Sequence, residues 1–164
     1  MQCKVTIAGI TMDADSNTPI VVLKTDDDRT LPIWIGLLEA TAIATELRDI
    51  RFDRPMTHDL IKNFADMLDV VFTHVEIYDL RNNTYYARIY FNFMGKHLSL
   101  DARPSDAMAL ALRTRVPIYI DETIFVVATP SEEPVQILDD SKEGEKWADY
   151  LKKLSPDDFG KYKV

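Results

Sequence analysis

Three short segments carry the side chains with chemical potential. The first is Leu31-Pro32-Ile33-Trp34-Ile35-Gly36 leading to Glu39-Ala40. The second is Arg54-Pro55-Met56-Thr57-His58-Asp59-Leu60, and the third Asp101-Ala102-Arg103-Pro104-Ser105-Asp106-Ala107. They supply carboxylates at Glu39, Asp59, Asp101 and Asp106, an imidazole at His58, a guanidinium at Arg103 and a hydroxyl at Ser105. Converging carboxylate oxygens suit a hard divalent cation, Mg²⁺ or Mn²⁺. A histidine at such a place suits proton transfer, and an arginine fork matches phosphate. Each residue also has a structural use. Asp59 and Asp106 fall in first helical turns, where acids complement the helix dipole. Ser105 can cap, Arg103 can pair with Asp101 or Asp106, and Glu39 and His58 can lie on solvated helix surface.

These segments fall where strands end and helices begin, the usual position of site-building loops. Val5 to Ile10, Pro19 to Leu23 and Arg29 to Ile35 read as strands separated by polar turns. Pro32 marks the third as an edge or bulge. Ala40, Ile43, Ala44 and Leu47 then make the apolar stripe of a helix. Thr57 is the expected cap of a second helix, with Leu60, Ile61, Phe64 and Leu68 as its buried face. Strands follow at Val70 to Tyr78, Tyr85 to Phe93 and His97 to Asp101. A helix starts near Pro104, ending at Arg113-Thr114-Arg115, where cations suit the dipole. Pro117 to Ile120 is a further strand.

The order of elements repeats. At an offset of 67, Leu31 meets Leu98, Glu39 meets Asp106, and Ala40, Ala42 and Ala44 meet Ala107, Ala109 and Ala111. This predicts an α+β domain, a mostly antiparallel sheet with helices, formed by internal duplication of a β3-α unit. Alanine-rich helices after similar strands could also produce the match by chance. A fold test is that both halves share strand order and direction. A pseudo-two-fold would set Glu39 and Asp106 at matching positions.

Other motifs are missing. Five scattered glycines make no phosphate-cradling loop, and there is no Gly-x-Ser-x-Gly elbow. His58, His74 and His97 have no i, i+4 pair, and the single Cys3 excludes an intramolecular disulfide. No apolar run is long enough to span a bilayer, and the first residues lack a signal peptide's apolar core. A cytoplasmic location is the expectation. Net charge is −8, which disfavours tight nucleic-acid binding through phosphate neutralisation alone. Part of that charge is local: six acids face two bases between Pro130 and Lys146. That stretch reads as an acidic linker, residues 131–146. Residues 147–164 read as a helical tail whose Trp147, Tyr150, Leu151 and Phe159 need a docking surface, which points to a homodimer or other homo-oligomer.

The same three segments resemble the signature of the bifunctional nuclease domain family. The matching stretches are Leu-Pro-Ile-Trp-Ile-Gly-x-x-Glu-Ala at 31–40, Arg-Pro-x-Thr-His-Asp-Leu at 54–60 and Asp-x-Arg-Pro-Ser-Asp-Ala at 101–107. The resemblance covers residues 1–130, and the ending Leu154 to Tyr162 is similar to the tail of bacterial members. It implies hydrolysis of both RNA and DNA, with metal assistance. On that reading His58, Asp59, Arg103 and Asp106 are catalytic, and Glu39, Asp101 and Asp106 hold the metal. The alternative is a non-enzymatic oligomeric module that binds a small ligand or a protein, its motif residues fixing helix starts. Convergence of Asp101, Arg103 and Asp106 with Glu39 or His58-Asp59 in one cleft is the geometric expectation.

Overall fold

A computed structural model describes residues 1–128; the expected linker and tail lie outside the described residues. Alternating and β-branched sequence produces seven strands. They are β1 (Gln2–Met12), β2 (Pro19–Thr25), β3 (Thr30–Trp34), β4 (Val71–Arg81), β5 (Thr84–Phe93), β6 (Lys96–Ala102) and β7 (Ile118–Asp121). Four helices accompany them: α1 (Leu37–Leu47), α2 (Thr57–Met67), α3 (Pro104–Thr114) and α4 (Glu122–Ala128). The strands form one sheet in the order β3-β2-β1-β7-β4-β5-β6. All neighbours are antiparallel except β4 and β7. The fold is therefore α+β with a mostly antiparallel sheet.

Turn chemistry sets the second meander. Asn82 and Asn83 both have positive φ, as do Met94 and Gly95. Paired positive φ matches the two-residue hairpin turn that agrees with strand twist. Pro32 sits on β3, which is the edge strand its missing N–H requires. Reading outward from β7, β1-β2-β3 and β4-β5-β6 are both meanders, each followed by a helix. β1 runs opposite to β7 and β4 runs with it, so the two meanders have opposite directions. α2 and β7 have no counterpart in the other half.

The core lies between the sheet and the α1–α3 layer. Val21, Leu23, Leu31, Ile33, Val75, Ile77, Ala87 and Ile120 pack with Ile43, Met108 and the alanines of α1 and α3. Ala40, Ala107, Ala109 and Ala111 are almost wholly buried, so the small residues let both helices approach the sheet and each other closely.

The expected buried face of α2 is corrected by the structure. Leu60 and Phe64 are 60% and 61% exposed, and Ile61 and Leu68 also face solvent. The buried α2 residues are His58 and Ala65. The helix starts one residue earlier than Thr57 as cap predicts, with Met56 at the cap position. The apolar period was read correctly, but α2 meets α3 with its first turn and Ala65 rather than with that stripe. Polar contacts described next hold it there.

Candidate active site

The first turns of α1, α2 and α3 are built alike. Each helix leaves an extended cap residue, Gly36, Met56 or Arg103, and none of these caps the helix with a side-chain hydrogen bond. Each then places an acid at its third residue: Glu39, Asp59 and Asp106. Acids there complement the positive end of the helix dipole and the unpaired N–H groups.

Two separate networks grow from these acids. In the first, His58 Nε2 lies 3.0 Å from Asp106 Oδ1, and Arg103 donates from Nε to Asp106 Oδ2 at 2.7 Å. Arg103 Nη1 also lies 2.8 Å from Glu39 Oε1. Four of the expected site residues are thus brought together: Glu39, His58, Arg103 and Asp106. Glu39 and Asp106, which match at the 67-residue offset, share one guanidinium. His58 is buried, whereas the Arg103 side chain is 66% exposed. Partial burial raises the Asp106 carboxyl's affinity for its proton. The hydrogen bonds and charges of Arg103 and His58 outweigh that and hold it below the ordinary carboxylate value.

Gly36 makes room for this network. A Cβ at Gly36 would stand 2.2 Å from Glu39 Oε2. Its φ of −73° is open to any residue, so what glycine supplies here is space. Glu39 folds back over its own cap and reaches Arg103.

The second network takes Asp59 elsewhere. Met56 N–H donates to Asp59 Oδ2 at 2.9 Å, and Arg113 Nε donates to Oδ1 at 2.6 Å. Arg113 Nη1 donates to the carbonyls of Ala42 and Ala109, both at 2.9 Å. The Arg113 side chain is 4% exposed. It therefore joins α1, α2 and α3 from inside. Burial raises the Asp59 pKa, but Met56 N–H and Arg113 outweigh it, with Arg51 adding to the effect, and the carboxyl lies below its usual value. Sequence reasoning took Arg113 for a cation on the helix end. The signal that marks it is its spacing of seven from Asp106, which puts both on one face of α3.

Asp101 does not join either network. It pairs with Arg88 across the β5–β6 ladder. Alternation turns it to the sheet face opposite Leu100 and Ala102. Ser105 is buried in the first turn of α3.

A divalent metal does not fit these side chains as they stand. Among the described residues no three of His, Cys, Asp and Glu are grouped to hold an ion. The two carboxylates that do converge are bridged by the Arg103 guanidinium, which offsets one of their two charges and occupies an oxygen of each. A cation would have to displace that fork.

Beside the second network lies a cavity of about 450 Å³ lined by Arg51, Lys62, Arg113 and Arg115, with Glu46 and Asp59 among its walls. An adjoining one of about 260 Å³ adds Arg54.

The sequence matches the bifunctional nuclease domain family over residues 21–133. The chain belongs to the bifunctional nuclease domain family. It is 38% identical to an uncharacterized protein of Mycobacterium tuberculosis, over 95% of this chain and 97% of that one. It is 32% identical to Bifunctional nuclease 1 of Oryza sativa subsp. indica, over 68% of this chain and 38% of the rice protein. Bifunctional nuclease 2 of Arabidopsis thaliana is 26% identical over 62% of this chain. The chain thus spans about two fifths of the rice nuclease. All three motif segments lie inside the region shared with the family. Among the described residues no helix is long and apolar enough to cross a membrane.

Proposed function

We propose that this bifunctional-nuclease-family domain hydrolyses phosphodiester bonds of RNA and DNA at the His58–Asp106–Arg103 network. One observation carries the reading. His58 is held at Nε2 by a carboxylate, while its Nδ1 has no protein partner among the described residues, beside an exposed arginine. A carboxylate behind an imidazole fixes its tautomer and stabilises its protonated form. His58 Nδ1 can then take a proton from water as the water oxygen attacks phosphorus. The bond to the leaving oxygen breaks, that oxygen takes a proton from solvent water, and His58 Nδ1 returns its own proton to solvent. Arg103 spends Nε and one Nη1 hydrogen on Asp106 and Glu39, and its Nη2 has no partner among the described residues. It is the group placed to meet charge building on the phosphate.

The cavity whose walls include Arg51, Lys62 and Arg115 supports a path for the strand. Seven residues of α3 separate Asp106 from Arg113, about 10 Å of helix rise, which sets the cavity about two helical turns from the network. These cations are partly neutralised: Arg51 pairs with Glu46 and Asp49, and Lys62 with Asp66. Binding to nucleic acid is accordingly weak and salt-sensitive.

The divalent-metal assistance expected from the sequence lacks a donor set here, so no step is routed through an ion. The assay is cleavage of single- and double-stranded DNA and RNA, with and without EDTA. The account expects cleavage that survives EDTA. Loss of cleavage in EDTA restores the metal version. No cleavage under any condition supports the second reading, a binding module in which the three acids only latch helix starts. The observation in favour of that module is that Asp59 and both Asp106 oxygens already have partners.

A further inference from the structure

We propose that the two adjoining cavities beside Arg113 form one site for a nucleoside monophosphate, with its terminal phosphate among Arg51, Lys62 and Arg115 and its base against Phe52. The site needs only its own walls and does not depend on cleavage at His58.

Charge selects the ligand at one end. The larger cavity sets four cations, Arg51, Lys62, Arg113 and Arg115, against two carboxylates, Glu46 and Asp59. Arg113 is spent on Asp59, and Arg51 pairs with Glu46. Lys62 and Arg115 are the surplus, on a chain whose net charge is −8. Lys62 touches Asp66, but both side chains lie at the surface, where such a pair is worth little. Arg115 is exposed and has no hydrogen bond or ion pair among the described residues. A phosphomonoester carries about −1.5 to −2 charge at neutral pH, which matches that surplus; an internal phosphodiester carries a single charge. The helix-end carbonyls that would repel an anion are already taken. Arg113 Nη1 donates to those of Ala42 and Ala109, the Thr114 hydroxyl to that of Leu110, and the N–H groups of Arg115 and Val116 to that of Ala111.

The smaller cavity supplies a different end. It shares Glu46, Arg51, Asp59 and Arg113 with the larger one, so one ligand can span both. Its arginines, Arg51, Arg54 and Arg113, are balanced by Glu46, Asp53 and Asp59, which leaves no net charge. Ile50, half-buried Phe52 and Pro55 add apolar wall. A heterocyclic base stacks on an aromatic face of this kind whatever its sequence identity. A cationic end joined to a neutral end with an aromatic wall fits a nucleotide better than a bare phosphate. The larger cavity, at about 450 Å³, is within the usual span of small-ligand sites, about 300–1,000 Å³.

The test is calorimetric titration of the full chain at low salt, which reads binding without cleavage. Adenosine 5′-monophosphate is expected to bind one to one. Its singly charged methyl ester, inorganic phosphate and adenosine are each expected to bind about tenfold more weakly or worse, since each lacks one charge or one end of the ligand. Arg115 caps α3 at φ 56°, a conformation that asparagine tolerates. Arg115→Asn is therefore expected to keep the circular dichroism spectrum and to weaken nucleotide binding about tenfold or more. Lys62→Gln, on the surface of α2, is expected to do the same. Phe52→Leu weakens the nucleotide and leaves inorganic phosphate unchanged. Arg81→Gln removes a cation that lines neither cavity and is expected to change nothing. No nucleotide binding up to millimolar concentration overturns the proposal. The methyl ester binding as tightly overturns the terminal phosphate, and inorganic phosphate binding as tightly overturns the nucleotide. Affinity unchanged in both Arg115→Asn and Lys62→Gln overturns the location.

Discussion

Arg113→Met removes the guanidinium that joins the three helices, and its cost can be worked from the contacts. The side chain is 4% exposed and makes three hydrogen bonds: to Asp59, to Ala42 and to Ala109. Methionine fills much of the same volume, so the effect is electrostatic more than steric. Removing one partner of a buried ion pair costs about 3–5 kcal/mol. Asp59 is 33% exposed and keeps its hydrogen bond from Met56 N–H, which lowers the expectation to about 2–3 kcal/mol. Asp59→Asn retains shape and one acceptor and is expected to cost about 1–2 kcal/mol. Both singles break the same contact, so the double variant costs less than their sum. Urea denaturation followed by far-ultraviolet circular dichroism measures all four species. A loss below about 0.5 kcal/mol for Arg113→Met, the range of ordinary surface changes, refutes the helix-joining role. Fully additive costs refute the direct coupling to Asp59.

Further outcomes follow from the same geometry. Gly36→Ala pushes a Cβ into Glu39 Oε2; the flexible carboxylate swings away, so the melting temperature moves by a few degrees at most while cleavage falls through the loosened Arg103. Leu60→Ser and Phe64→Ser on the exposed stripe of α2 change stability by less than about 0.5 kcal/mol, read by urea denaturation; a loss of several kcal/mol would return that stripe to the core. Asp59 and Asp106 have folded pKa values below the ordinary range. In acid the unfolded chain binds their protons first, so stability rises with pH there. Their contribution is full above about pH 4, the unfolded aspartate value, and is lost as pH falls through the depressed folded values. Asp59→Asn flattens this acid limb in stability measured from pH 2 to 7; an unchanged limb contradicts the assignment.

Much of the fold was legible because strand alternation and turn residues are local signals. Pro32 marked an edge or a bulge, and polar turns separated the strands. The grouping of Glu39, His58, Arg103 and Asp106 was legible in part, since each stands at the start of a helix. What sequence could not supply was direction. Asp101 is four residues from Ser105 and five from Asp106, yet strand alternation turns it to the other sheet face. Arg113 looked like a solvated helix end because the carbonyl of Ala42 and the carboxylate of Asp59 reach it only through tertiary packing. The α2 stripe misled for the opposite reason. An apolar period says that a helix has a face, not that the domain covers it.

The central claim rests on His58 as the proton-transferring group, and one measurement addresses it most directly: the initial rate of single-stranded RNA and DNA cleavage by His58→Ala against the unaltered chain, at matched folded concentration. The account predicts a fall of about 10²- to 10⁴-fold, the usual size of general acid–base catalysis, with the circular dichroism spectrum retained. A folded His58→Ala variant that cleaves at the original rate contradicts it.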